Sequence, residues 1–484
     1  MFTRALALRP SLKPTLEQET NDMEQITLKK ELREQLCALA RELGTPVYLV
    51  GGCVRNGLLG LPAADVDIAS AALPEQVLAA AARMGVQAAV VHQVLGTVEL
   101  YLAGERIEHT AFRRESYAPG GGHAPEIVQL GASLEQDALR RDFSVNALYY
   151  DIAADAVLDP TGRGLADLQT RRLRSARPNA EEMIRDDALR LLRMVRFACQ
   201  LGFTIEKQLF LQARRYAHQI AALPRERIAP ELAKILLSDT AYDIPQRVPP
   251  QKRGLLYLKA LGLLQLLIPE FARADEMGKC QYHKYSVLMH SICSCAAAPP
   301  DLVTRLAALL HDIGKPKAWL EQGNMHGHDA IGAPMAEERL KALGFSHKIA
   351  GQVRDLVAAH MFDLDGKTRE VRVRRQVQRM GYEAFYRLAD LREADAMGTG
   401  KAQPPILMAE YFREVASRMK AEGIPMSPAD LAISGRDLQA LGLRGPQIGR
   451  VLRQLLELCA AGPEQNTPAR LLAQARGLAK NAGE

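Results

Sequence analysis

The chain has 484 residues, 48% of them hydrophobic and 24% charged, a length that predicts about three domains and a composition that excludes extensive disorder or a fibrous repeat. Lysine plus arginine exceed aspartate plus glutamate by 62 to 56, which permits a polyanionic partner without requiring one. With 5% aromatics and the single tryptophan Trp319, broad base-stacking platforms are excluded, so any nucleic acid is held by charge.

Residues Met1 to Thr15 carry arginines and no acid, but Glu17, Glu19 and Asp22 follow; residues 1–24 read as an extension rather than a targeting signal. From Leu28 to Leu43 apolar residues recur at helical spacing, and Gly44-Thr45-Pro46 ends the run before a strand, Val47 to Val50. Strand-like runs follow at Ala89 to Val91, Thr97 to Leu102 and Ile127 to Leu130, with a helix over Pro74 to Met84. After about Leu168 strand signals nearly vanish. Amphipathic helical runs take over at Asp186 to Cys199, Gln208 to His218, Ala229 to Leu237, Ala333 to Leu343 and Ile448 to Leu458. The most apolar stretch, Gly254 to Ile268, carries Lys259 and Gln265 and is shorter than the roughly 20 residues that span a bilayer. Seven cysteines without a CxxC pair argue against a disulfide framework or a zinc ribbon and for a reducing compartment. No membrane partner is expected, and the expected location is cytoplasmic.

Two patterns carry chemistry. Strand Val47 to Val50 runs into Gly51-Gly52-Cys53-Val54-Arg55, where glycines let backbone N–H groups approach a phosphate and Arg55 adds a charged fork. Beyond it stands Asp65-Val66-Asp67, and residues i and i+2 of a strand project from one face, within reach of one metal site. Glu108, on a later strand-like segment, is a third carboxylate able to close the cluster around Mg²⁺. Taken alone, Asp-x-Asp after Pro62 is better explained by a solvated acidic turn.

The order of further motifs decides between these. Gly51-Gly52-x-Val54-Arg55 with Asp65-x-Asp67, then Arg140 to Leu148, then Asp159-Pro160 with Gly162, Asp167 and Leu168, then Asp186 to Arg196 and Pro224 to Lys234 follow one another. In this order they resemble the class II, bacterial-type tRNA nucleotidyltransferases and poly(A) polymerases. The resemblance implies an α/β nucleotidyltransferase head, a small mixed sheet with helices, followed by mostly α-helical neck, body and tail domains. It implies two Mg²⁺ ions held by Asp65 and Asp67, with Arg141 and Asp142 at the ribose and triphosphate and Asn146 in support. CTP, ATP and tRNA are the implied partners, with the tRNA recognised by shape and phosphates. Asp187 and Arg190, three apart on a helix, point an acceptor and a forked donor the same way. Cytosine and adenine both offer an amino donor beside a ring-nitrogen acceptor, so one Asp-Arg pair accepts C and A and refuses G and U. Arg193, one turn on, is a further phosphate or base contact. Where the family has an aspartate after the first arginine, this chain has Asn56; where it has Glu-Asp-Pro, this chain has Asp186-Asp187-Ala188. Between the carboxylates and Arg140, Pro119 to Pro125 reads as a mobile segment, and in the family a flexible loop here is associated with the switch from C to A.

A second set is His290, His311-Asp312-Ile313-Gly314-Lys315-Pro316, His328, His360 and Asp395. It resembles the ligand set of the HD phosphohydrolases, and imidazole with carboxylate suits a divalent transition metal as well as Mg²⁺. His326 is an additional candidate; His283 and His347 are not. The resemblance allows a phosphodiesterase or phosphatase activity, or a retained structural metal. Ile433 to Leu438 with Gly442 and Gly445 to Gly449 resembles the tail of HD-containing tRNA nucleotidyltransferases, followed by a basic helix with Arg450 and Arg453. The expected organisation is thus an extension over 1–24, a head over 25–170, a neck for base selection and RNA binding over 171–240, a linker or body over 241–283, an HD domain over 284–400 and a tRNA-binding tail over 401–484. The expected activity is addition of C, C and A to tRNA. Addition of A alone or poly(A) synthesis is the alternative within the class; from another class, so is an HD phosphohydrolase with an RNA-binding head.

Overall fold

The computed structural model of the chain describes residues 26–63, 65–117, 125–276, 285–363, 367–400 and 407–481. The extension over 1–24, most of the glycine-rich segment (119–124) and His283 lie outside them. Two compact units divide the chain between Ala222 and Leu223.

The first unit orders its elements as α1 (Lys30–Leu43), β1 (Tyr48–Val50), α2 (Gly52–Leu58), β2 (Asp67–Ser70), α3 (Pro74–Arg83), β3 (Ala88–His92), β4 (Thr97–Leu102), β5 (Glu105–Ala111), β6 (Arg113–Ser116), β7 (Ile127–Leu130), α4 (Leu134–Arg140), β8 (Tyr149–Asp151), β9 (Ala156–Leu158), α5 (Gly164–Gln169), β10 (Arg172–Leu173), α6 (Ala180–Asp186), α7 (Leu189–Gln200), β11 (Thr204–Ile205) and α8 (Lys207–Arg215). Seven strands form one mixed sheet in the order β3-β4-β5-β2-β1-β8-β9, in which only β2 and β5 run parallel. Leu36 and Leu39 of α1 and Val77 and Ala80 of α3 are buried where these helices meet β4, the helical spacing of the apolar residues placing them on one stripe. Val50, Ala69, Phe112, Ala138, Ala147 and Tyr149 form a second cluster.

The expected α/β head with a helical remainder is what the chain adopts. Strands Thr97–Leu102 and Ile127–Leu130 have the expected bounds, and after Leu168 the described residues contain only the two-residue strands β10 and β11. Three differences have physical reasons. Strands β8 and β9 carry no alternation to read, because three residues are too short for a period of two to show. Asp65 precedes strand β2, which begins at Asp67, so the two carboxylates are not strand residues i and i+2. The run Asp186 to Phe197 is not one helix: Asp187 ends α6 in extended conformation, φ −147° and ψ 105°, and its Oδ1 accepts the Leu189 amide at 3.0 Å at the start of α7. Short acidic side chains favour such capping over helix interiors.

The second unit is helical: α9 (Arg225–Leu236), α10 (Pro250–Ala260), α11 (Leu263–Leu267), α12 (Glu270–Glu276), α13 (Val287–Ala297), α14 (Leu302–Leu310), α15 (Lys315–Gln322), α16 (His328–Ala342), α17 (His347–Ala359), α18 (Glu370–Met380), α19 (Tyr382–Gly398), α20 (Leu407–Glu422), α21 (Gly435–Ala440), α22 (Pro446–Cys459) and α23 (Pro468–Asn481). Helices α13, α14, α17 and α19 pack together, and α21 to α23 bury a separate cluster around Leu438, Val451 and Leu455. One buried cation ties the first part of this unit. Arg305, 1% exposed, makes a forked pair with Asp239, Nη1 to Oδ1 and Nη2 to Oδ2 at 2.6 Å each, and donates to the carbonyls of Leu236 and Ala298. Arg305→Ala removes the charged partner of Asp239 and the side-chain donor to both carbonyls; a loss of about 3 kcal/mol of stability is expected in urea unfolding.

Candidate active site and metal centre

In the first unit the chain leaves β1 through Gly51, whose φ of +73° is one that a side-chain-bearing residue rarely takes. Two guanidinium groups lie under this turn: a Cβ on Gly51 would sit 3.5 Å from Arg141 Nη1, and one on Gly52 would sit 3.8 Å from Arg55 Nη2. Arg55 does not fork into solvent. It is 3% exposed; Nε and Nη2 donate to Asn56 Oδ1 at 3.1 and 2.8 Å, and Nη1 donates to Asn146 Oδ1 at 2.5 Å. Asn56 therefore holds Arg55 as an acceptor, without the charge of an aspartate.

Register places Glu108 of β5 directly opposite Asp67 of β2 across the parallel pair, with Asp65 close enough to be felt by Asp67. Burial, with the like charges of Glu108 and Asp65, raises the Asp67 carboxyl to about 6, while Arg141 pulls it the other way. A buried carboxyl raised by two neighbouring carboxylates belongs to a donor set that suits a hard divalent cation. Since the bound form needs Asp67 deprotonated, Mg²⁺ affinity is expected to fall about tenfold per unit of pH below about 6 and to level off above it, as isothermal titration would read.

The Arg141-Asp142 pair is not a surface ion pair. Arg141 donates to Asp137, Nη2 to Oδ2 at 3.1 Å, and Nε to the Tyr149 hydroxyl at 3.0 Å. Asp142 Oδ1 accepts from Asn146 Nδ2 at 3.0 Å, and its Oδ2 accepts from Arg193 Nε at 2.8 Å and Nη2 at 2.6 Å. Burial alone would raise the Asp142 carboxyl, but Arg193 overrides it and holds the group near 2. Arg55, Asn146, Asp142 and Arg193 thus form one hydrogen-bonded line from α2 to α7. Arg193, expected as a phosphate or base contact, here anchors Asp142. Asp187 and Arg190 stand at the start of α7, with Arg190 N donating to the Asp187 carbonyl at 3.0 Å. The Arg190 guanidinium, 7% exposed, is aimed by two backbone carbonyls: Nη1 to Met183 at 2.9 Å and Nη2 to Arg140 at 2.8 Å. Sequence reading missed Asp137, which is wholly buried and bridges Arg140 and Arg141; its i,i+3 and i,i+4 spacing to those arginines was the available signal.

In the second unit the histidines converge. His290 comes from α13, His311 and Asp312 from the end of α14, His328 from α16, His360 from the end of α17 and Asp395 from α19. Two groups have ligand atoms all within 4.8 Å of one another, His290-His311-Asp312 and Asp312-His328-His360, and they share Asp312. The two Asp312 oxygens divide between them: Oδ2 lies 3.3 Å from His311 Nε2 and Oδ1 3.3 Å from His328 Nε2. Asp395 Oδ1 lies 3.0 Å from His290 Nε2. The Nδ1 atoms of His311, His328 and His360 face the carbonyls of Ala308, Met325 and Val357 at 2.7–2.9 Å, which fixes the tautomer with a bare Nε2 directed inward. Burial and the neighbouring His311 push His360 down to about 3, so it is neutral and able to ligate. Burial would raise Asp312, but His311 and Lys315, whose Nζ is 2.6 Å from Oδ2, hold it well below the usual carboxylate range. The donor set fits a divalent ion. Gly314 brings the halves together: a Cβ there would lie 2.2 Å from the His328 carbonyl. His326 is exposed and belongs to neither group, and Arg450 and Arg453 are exposed on α22.

A glycine turn beside clustered carboxylates in one unit and a histidine-carboxylate centre in the other define a two-site, metal-dependent class. Residues 47–174 match the poly A polymerase head domain, 202–275 the probable RNA- and SrmB-binding site of polymerase A, and 286–397 the HD domain. The chain is 32% identical over 439 residues to the A-adding tRNA nucleotidyltransferase of Deinococcus radiodurans, covering 87% of this chain and 92% of that protein. It is 31% identical over 438 residues to the CC-adding tRNA nucleotidyltransferase of Thermus thermophilus, covering 86% and 90%, and 32% identical over 427 residues to the multifunctional CCA protein of Xanthomonas campestris, covering 84% and 96%. Among solved structures, the CCA-adding enzyme of Bacillus stearothermophilus in complex with CTP is similar with a TM-score of 0.71 at 25% identity, over 94% of this chain and 99% of that one. The chain belongs to the bacterial-type tRNA nucleotidyltransferase family, in the form that carries an HD domain. Both domain types depend on divalent metal. Among the described residues no helix is long and apolar enough to cross a membrane.

Proposed function

We propose that this protein is a CCA-adding tRNA nucleotidyltransferase that completes the 3′ end of cytoplasmic tRNA from CTP and ATP. The observation that carries this is the Arg190 guanidinium, held by two carbonyls beside Asp187 at the head of α7. The pair serves two bases because cytosine and adenine present the same groups to it, an amino donor for the Asp187 carboxylate to accept and a ring nitrogen for Arg190 to donate to. Asp65, Asp67 and Glu108 hold Mg²⁺, which when bound supplies charge neutralisation at the triphosphate and activation of the RNA 3′-hydroxyl. The Gly51-Gly52 turn admits the phosphates to the backbone, with Arg141 beneath it. Asp142, fixed by Asn146 and Arg193, is the acceptor for the ribose hydroxyl that marks a ribonucleotide.

The test uses three tRNA transcripts, ending before the CCA, at C and at CC, supplied with CTP, ATP or both. Stepwise growth to CCA and a stop there is expected. Addition of A to the CC end alone means an A-adding enzyme like the Deinococcus relative, and a stop at CC means a CC-adding one like that of Thermus. Long A runs mean poly(A) synthesis.

The second site supports a second reading. The His290, His311, Asp312, His328, His360 and Asp395 set suits a divalent transition metal such as Mn²⁺, Co²⁺ or Ni²⁺. With its acidic and imidazole donors all present and buried or half-buried, it is suited to hydrolysis of a phosphoester.

A further inference from the structure

Beneath Arg190 lies a set of buried charges that the nucleotide contacts leave unexplained. Strand β6 carries Glu115, whose side chain is 6% exposed and sits between two guanidinium groups. Arg113 Nε donates to Glu115 Oε1 at 2.7 Å, Arg140 Nη1 lies 3.4 Å from the same oxygen, and the Tyr117 hydroxyl donates to Oε2 at 2.7 Å. On its other side Arg140 is held by Asp137, Nε to Oδ1 at 2.9 Å. The Arg140 backbone carbonyl is the one that accepts Arg190 Nη2 at 2.8 Å. One side chain and one carbonyl therefore separate Glu115 from Arg190.

The charges in this cluster depend on Glu115. Among the described residues, Arg113, Arg140 and Arg141 are balanced in this cluster by two carboxylates, Glu115 and Asp137. Burial would raise the Glu115 carboxyl, yet Arg140 and Arg113 hold it below its ordinary range. Without its charge, two guanidinium groups that shared one carboxylate stand together where little water screens them, and like charges in such a place move apart. Each keeps one anchor, Arg113 the Leu95 carbonyl and Arg140 the Asp137 carboxylate, so the repulsion turns Arg140 about Asp137 and strains the backbone carbonyl of the same residue.

We propose that Glu115 is a positioning residue for base selection: it neutralises the Arg113 and Arg140 pair, fixes the Arg140 carbonyl and so fixes the aim of Arg190. This rests on Arg190 reading the base, as set out above. Glu115 touches no nucleotide, so its loss acts on discrimination before it acts on chemistry.

The experiment measures kcat and KM for CTP, ATP, UTP and GTP, each alone, on the three tRNA ends with the full-length protein. For Glu115→Gln, incorporation of U and G relative to C and A is expected to rise about tenfold, the size of one charge-assisted hydrogen bond. KM for CTP and ATP rises, and kcat for them stays close to wild type. Glu115→Asp, which keeps the charge, recovers most of the discrimination. Wild-type discrimination in Glu115→Gln, or an equal fall of kcat for all four nucleotides with discrimination unchanged, overturns the proposal. Arg190→Ala run alongside separates the two ideas: loss of discrimination there with none in Glu115→Gln rejects the positioning role alone, and retained discrimination in Arg190→Ala rejects base reading by Arg190 itself. Should Glu115→Gln melt below the assay temperature, Tyr117→Phe removes one hydrogen bond from the same carboxylate and leaves both guanidinium partners. Misincorporation above wild type then supports the proposal, and wild-type fidelity rejects it.

Discussion

Replacing Asp67 with alanine is expected to lower nucleotide addition by a factor on the order of 10³ or more, while the melting temperature stays the same or rises. The two halves of this result have one cause. Asp67 lies across from Glu108 on adjacent parallel strands, with Asp65 just before its own strand. Burial and the two like charges raise its carboxyl to about 6, so in the metal-free chain the charged form of Asp67 is disfavoured and contributes nothing to folding. Its arrangement suits a divalent cation, as proposed above. Removing the half-buried member takes away metal binding worth several kcal/mol of barrier lowering, and each 1.36 kcal/mol is a factor of about ten. Asp67→Asn has the same shape without the charge and is expected to fail as badly, which separates charge from packing. Glu108→Gln, at an exposed position, is expected to cost less. Single-turnover extension of a tRNA ending at CC, with a thermal melt of the same sample, reads both quantities. Addition by Asp67→Ala within tenfold of wild type would remove this carboxylate from the chemistry.

What the sequence disclosed and what it withheld follow from how far apart the partners are along the chain. The glycine turn, the two aspartates and the stretch with Arg190 are local patterns that the sequence displays, although Asp65 falls outside the strand and Asp187 outside the helix that their spacing predicted. The partners of Arg55 and Arg193 were not legible. Arg55 read as a phosphate fork and Arg193 as a phosphate or base contact; the hydrogen bonds that position them, Arg55 to Asn56 and Asn146 and Arg193 to Asp142, had no local signal. Those partners lie 91 and 51 residues away in the case of Asn146 and Asp142, beyond anything periodicity reports. The break at Asp187 was hidden for a different reason. The apolar spacing continues from Met183 and Ile184 into Leu191 and Leu192, all buried, so the pattern carries through a residue whose side chain caps rather than continues the helix. The histidine set was legible as ligands, but the division of the two Asp312 oxygens between two pairs of imidazoles needed four helices brought together.

That division leads to the second large effect. Asp312→Ala is expected to strip the transition metal from the second unit altogether and abolish any phosphoester hydrolysis, leaving nucleotide addition unchanged. Each of the two ligand groups contains Asp312, one oxygen toward His290 and His311 and the other toward His328 and His360. An ion in either group therefore loses the carboxylate the two groups share in a single substitution; the His328–His360 pair, its imidazoles 3.1 Å apart, loses the carboxylate of its group, and the His290–His311 pair keeps Asp395 alone. His328→Ala or His360→Ala empties one group and leaves the other intact, so metal retained in those variants but absent from Asp312→Ala places the ion with His290 and His311. Metal content by mass spectrometry after dialysis, in an Asp67→Ala background that removes binding by the head, gives the count. Hydrolysis of bis(p-nitrophenyl) phosphate and CCA extension follow on the Asp312→Ala protein alone. Full metal content in Asp312→Ala would mean that Asp395 and the imidazoles hold the ion without it, and the shared carboxylate would then be a partner of Lys315 and not a ligand.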